Sequence, residues 1–143
     1  MIKPAISLLL LLSSMLVHAD QPAPPPVVVV HGSVPVSVLT KAQLRSIYLM
    51  RQVIWPNGAK IKVYMLPGKS AAHQQFSQNN LQMFPYQLDQ TWQKLTYSGI
   101  GTPPTEIATP EQMLELLRNT PGAIGYLPYG NEIKDAKVIE IQP

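Results

Sequence analysis

The sequence predicts an α/β fold with a mixed sheet covered by helices, and three stretches carry that expectation. Val27–Val30 is a continuous β-branched run, the pattern of a strand buried on both faces. Ala59–Phe76, AKIKVYMLPGKSAAHQQF, runs from a strand of period two through Pro67-Gly68 into a helix that Ser70 can cap. Thr109-Pro110-Glu111-Gln112 opens the best-marked helix of the chain. It has a cap residue, Pro at the first position, Glu near the positive end of the dipole and Gln at capping-box distance. Strand and helix signals alternate along the chain, as α/β proteins require.

The chain begins with a targeting pattern. Met1-Ile2-Lys3 is a short positive region, Ala5–Val17 an apolar run, and Val17-His18-Ala19 a small-residue cleavage signal, so residues 1–19 read as a secretory signal peptide removed after Ala19. The apolar run is shorter than the roughly 20 residues of a spanning helix. No Cys follows it, so a lipid anchor is not expected. The mature protein is expected to be soluble in a bacterial periplasm, with no membrane insertion after cleavage. Residues 20–26, DQPAPPP, form a Pro-rich extended leader, and residues 27–143 a single domain. With no cysteine the fold holds by its core alone. Charged residues make up 13%, the net charge is +3, and no Lys/Arg run interleaves with aromatics, which argues against nucleic acid as a partner.

The remaining elements follow in order. His31-Gly32 ends the valine run, and Val34–Leu39 is a second extended piece that Pro35 confines to an edge or a connection. Thr40 and Gln43 have capping-box spacing, and Leu44, Ile47 and Tyr48 form one apolar stripe of a first helix. Trp55-Pro56-Asn57-Gly58 is a tight turn. The helix opened at Ser70 is expected to run to about Asn80, with Pro85 ending what remains of it. Leu88, Trp92 and Leu95 predict another helix closed by Ser98-Gly99. Ile100–Ile107 has too much Pro and Gly for a regular element. Met113, Leu116 and Leu117 are the expected buried stripe of the helix opened at Thr109. Ala123–Leu127 reads as a short buried strand in which Gly125 implies close approach by another backbone or ring. After a turn at Gly130-Asn131, Val138–Ile141 is a last strand.

Gly68-Lys69-Ser70 has two readings: an anion site built from helix-end N–H groups, the Ser70 hydroxyl and the Lys69 charge, or an ordinary capped helix with a solvated lysine. The residues favour the plain cap. His73 can share a helix face with Ser70 and join the site, although a lone His among glutamines reads more simply as solvated. A Ser70–His73 nucleophile lacks a third group to orient the imidazole, no His/Asp/Glu cluster has metal-ligand spacing, and Gly99-Ile100-Gly101 falls short of a dinucleotide fingerprint. Neither an enzyme nor a metal or other cofactor is expected. Trp92 and Tyr126 sit in apolar patterns and read as core, whereas Trp55 and Tyr129 read equally as partner surface.

LTKAQLRSIYLMRQVIWPNGAKIKVYML, the helix up to Phe76, TWQKLTYSGIGTPPTEI and TPGAIGYLPYG resemble, in that order, the phosphate-type periplasmic substrate-binding proteins of ABC transporters. The resemblance runs from about Val27 to Tyr129 and implies one lobe of a type II periplasmic-binding-protein fold, in a family whose two lobes hold the ligand between them. In that family an Arg and a Ser-Gly-Thr four residues on bind the oxyanion. Aligned on Phe76, those positions are Leu66, Ser70, Ala71 and Ala72 here, so only the serine matches.

Two functions are therefore in view. One is a periplasmic solute-binding-like protein that holds phosphate or a similar oxyanion weakly, in connection with phosphate uptake or sensing. The other is a ligand-free lobe that docks on an envelope protein, a sensor domain or a second copy of itself.

Overall fold

The structure, a computed structural model, describes residues 23–143; the expected signal peptide and the first residues of the leader lie outside them. The strands are β1 (Val27–Val30), β2 (Val38–Thr40), β3 (Lys62–Met65), β4 (Thr105–Glu106), β5 (Ala123–Leu127) and β6 (Lys137–Gln142). The helices are α1 (Lys41–Tyr48), α2 (Ala71–Gln75), α3 (Pro85–Ser98) and α4 (Pro110–Asn119), and a π-helical segment, Phe76–Asn80, continues α2 without a break. The strands form one sheet in the order β2-β6-β1-β5-β3-β4.

The valine run lies at the centre of that sheet. β1 is antiparallel to β5, with Val28 opposite Tyr126, and antiparallel to β6, with Val29 opposite Val138. β2 runs parallel to β6, and β3 runs parallel to both β4 and β5, so the sheet is mixed as expected. Val28, Val29 and Val30 are at most 1% exposed, because helices cover both faces of their strand. The alternation of β5 shows how. Gly125 faces α4, whereas its neighbour Tyr126 points to the opposite side, where Tyr48 and Phe76 meet it.

The caps form where local chemistry places them. Gln43 N–H donates to Thr40 Oγ1 at 3.1 Å and Thr40 N–H donates to Gln43 Oε1 at 2.9 Å, a complete capping box. Leu44, Ile47 and Tyr48 face inward. Gly99 closes α3 with φ 67°. An indole bond ties α3 to α1 and a phenol bond ties α1 to the sheet: Trp92 Nε1 donates to Tyr48 O and Tyr48 Oη donates to Tyr64 O, both at 2.9 Å.

Several expectations change. Pro85 does not end a helix but occupies the first turn of α3, where its missing N–H costs nothing. Residues 105 and 106 form a strand after all, because β3 offers them a parallel partner through Tyr64 and Met65. The second extended piece shortens to Val38–Thr40, with Pro35 in the connection before it. On α4 only the cap half of the box forms among the described bonds, from Gln112 N–H to Thr109 Oγ1. Leu114 rather than Leu116 joins Met113 and Leu117 against the core. What approaches Gly125 is neither backbone nor ring: a Cβ there would lie 2.6 Å from Met113 Sδ and 3.3 Å from Leu117.

Candidate functional site at the end of β3

β3 ends at Met65, and the chain passes through Leu66–Ser70 into α2. The loop folds largely on its own hydrogen bonds. Ser70 N–H and Ser70 Oγ both donate to Pro67 O, at 2.9 and 2.7 Å. Ser70 Oγ accepts from His73 N–H at 3.2 Å, and Gln74 Nε2 donates to Gly68 O at 2.7 Å. The serine is thus the helix cap its position predicts, and its hydroxyl proton is committed to the loop carbonyl.

Three groups at this end remain free for an anion. The N–H groups of Ala71 and Ala72, the first two helical residues, have no acceptor among the described residues, and the Lys69 side chain is exposed beside them. Gly68 has no positive φ, and a Cβ there would meet nothing within 4 Å, so no intrachain constraint accounts for glycine at this point. The chain leaves β5 toward Tyr129 at the same end of the sheet, since β3 and β5 are parallel, and Tyr129 is 67% exposed.

His73 is not solvated. It is 1% exposed, packs at 6.1 Å between ring centroids from Trp92, and lies 2.7 Å through Nδ1 from Tyr126 Oη. Tyr126 Oη also accepts the Leu66 N–H at 3.0 Å. Nδ1 and the phenol oxygen share one hydrogen bond, and Nε2 is a buried atom with no partner among the described residues. The imidazole therefore holds the loop through Tyr126 and takes no part in binding from solvent. Sequence reasoning missed this because the two partners are far apart in the chain. The inward spacing of His73 and Phe76, three residues apart on one helix, was the signal available.

Trp55 also departs from expectation. Although it sits in a turn, it is 2% exposed, and its Nε1 donates to Gly122 O at 2.9 Å, so it offers no partner surface. It lies at the opposite end of β3 from Ser70. Trp92 and Tyr126 are core, as read from their patterns. Among the described residues no group of three His, Cys, Asp or Glu side chains is placed to hold a metal.

Burial pushes the His73 pKa below the ordinary value of 6.5, against the pull of Asp89 and Glu106. As pH falls below about 6.5 the unfolded chain takes up a proton that folded His73 resists, so this group subtracts stability progressively until the folded value is passed. Above about 6.5 it contributes nothing. Urea midpoints measured from neutral to acid pH are expected to fall more steeply for the wild type than for His73→Gln. Parallel profiles for the two proteins would contradict a buried neutral imidazole.

No family model matches the chain, and neither does any curated protein sequence. Solved structures do. One, described as a phosphate ABC transporter substrate-binding protein with bound phosphate from Clostridium perfringens, superposes with a TM-score of 0.62 at 16% identity, over 82% of this chain and 44% of that one. This chain has the fold of one lobe of a type II periplasmic-binding protein. An ABC-type phosphate transport receptor from Vibrio cholerae matches at TM-score 0.58 and 19% identity, over 82% and 46% of the two chains. PstS from Borrelia burgdorferi matches at 0.61 and 12%, over 82% and 47%. The chain thus spans less than half the length of each of these proteins.

Proposed function

We propose that this protein is an exported, single-lobe solute-binding-like protein that holds phosphate or a similar small oxyanion weakly at the start of α2. Residues 1–19 direct export, residues 20–26 are a leader and residues 27–143 are the binding domain, in a role tied to phosphate uptake or sensing rather than catalysis. The observation that supports the site is the set of free donors, the Ala71 and Ala72 N–H groups beside Lys69, at the end of the strand-loop-helix unit in a fold whose solved neighbours are phosphate-transport proteins. Helix N-terminal amides and the dipole behind them favour an anion at this point. Leu66 stands where the resemblance places an arginine, and residues 27–143 alone leave half of the ligand in water, so affinity in the millimolar range is expected of them.

A titration of the full chain with phosphate, sulfate and chloride, followed by amide NMR shifts, tests this. Phosphate is expected to move the amides of Gly68–Ala72 and to raise the unfolding temperature, a gain of about 2.7 kcal/mol when ligand reaches 100 times its dissociation constant. Ser70→Ala loses about 1 kcal/mol with its cap and weakens binding by loosening the loop. Unmoved amides at about 10 mM phosphate, where a millimolar site must respond, would end the anion reading.

The internal commitment of the Ser70 hydroxyl favours a second reading, a ligand-free lobe that docks on an envelope protein, a sensor domain or a second copy. In that case phosphate is without effect and Tyr129→Lys disrupts a complex that cross-linking detects in the wild type.

A further inference from the structure

At the other end of β3, away from Ser70, apolar side chains stand out of the surface. Tyr97 and Ile100 are 90% and 81% exposed, and Val53 and Ile54 are 51% and 52% exposed. They are neighbours: Val53, Ile54 and Ile100 line one cleft of about 300 Å³, and Ile100 with Tyr97 lines the next. Lys60 belongs to the first cleft and Lys94 to the second, and no carboxylate lines either. The ion pairs of the described residues are Glu115–Arg118 and Glu132–Lys134, so both lysines are uncompensated.

We infer that this end of the molecule is a docking surface for an anionic lipid membrane. Asp89 lines the cleft on the other side of Tyr97, so it is the part around Val53, Ile54 and Ile100 that carries cations and no anion, which complements a surface that is apolar beneath and negative on top. A lipid surface fits better than a protein groove because the largest side chains protrude. Ile100 reaches below the headgroups, Tyr97 takes the interfacial level that tyrosines favour, and the Lys60 and Lys94 stems snorkel to the phosphates. The contact is peripheral, since no described helix is long and apolar enough to cross a membrane. The Ser70 loop, at the far end of β3, stays open to solvent, so lipid docking is independent of the oxyanion reading.

Co-sedimentation of the full chain with vesicles tests the inference. All variants share one N-terminus, so any contribution of the apolar residues 5–17 is common to them. The wild type is expected to bind mixed phosphatidylcholine–phosphatidylglycerol vesicles, to bind pure phosphatidylcholine vesicles far less, and to be released by salt. Lys60→Gln and Lys94→Gln each weaken binding about five-fold. Ile100→Glu abolishes it while leaving the urea midpoint unchanged, because the side chain it replaces is exposed. Equal binding to neutral and anionic vesicles, or variants that bind like the wild type, would overturn the inference. So would a wild type that sediments as a dimer without lipid and becomes monomeric on Ile100→Glu, since the patch would then be covered by a second copy.

Discussion

Gly122→Ala is expected to lower folding stability by about 3 kcal/mol or more, enough to threaten the fold of a domain this size. The residue has φ 79°, and an added Cβ would lie 2.4 Å from Lys60 O, well inside contact distance of a main-chain atom that cannot swing aside. Relief requires Gly122 itself to move. Its carbonyl, however, accepts both Lys62 N–H at 3.1 Å and Trp55 Nε1 at 2.9 Å, so displacement loosens the start of β3 and the seat of a buried tryptophan together. Gly58→Ala supplies the comparison. That glycine has φ 85° with nothing within 4 Å, so it carries the backbone penalty alone, about 1 kcal/mol. Urea midpoints for the two variants should differ widely. Equal losses would mean that the contact at Lys60 relaxes without cost.

Phe76→Ala is expected to cost about 4 kcal/mol. The ring is fully buried, stacks on Tyr126 at 3.8 Å with planes 10° apart, and meets Tyr48 edge-on at 4.8 Å. Its removal deletes transfer free energy, opens a cavity and forfeits two aromatic contacts of roughly 1 kcal/mol each. A local consequence separates this ring from an ordinary core residue. Tyr126 is the tyrosine whose hydroxyl holds Leu66 and His73, so the Leu66 amide should exchange with solvent faster in the variant than the amides of α4, on the other face of the sheet. Uniform acceleration across both faces would instead indicate a general loss of stability.

Helix starts were legible because they are settled within a few residues. Thr40, Ser70 and Thr109 each cap a helix through a bond to the third residue on, and Gly99 ends α3 in the left-handed region. The valine run was equally plain, since only a strand covered on both sides tolerates four such residues together. What escaped the sequence depends on partners from elsewhere in the chain. Thr105 and Glu106 are a strand only because β3 lies beside them. Trp55 carries turn chemistry around it yet is drawn inward by a carbonyl at position 122. At the candidate site Ser70 was identified and its role as a cap anticipated, while the burial of His73 was not, because the hydroxyl that receives it comes from β5.

The central place of β1 has a consequence for how the chain acquires its shape. Its two hydrogen-bonded neighbours, β5 and β6, are the last of the described strands to be made, so this central strand waits longest for its partners. Contacts of such high sequence separation slow folding and leave little of the sheet able to close before the whole chain is present. Under the export proposed above, a chain threaded through a membrane before it folds gains from that delay. Deletion of β6 would leave one edge of β1 bare and convert a strand paired on both sides into an exposed template for pairing with other chains.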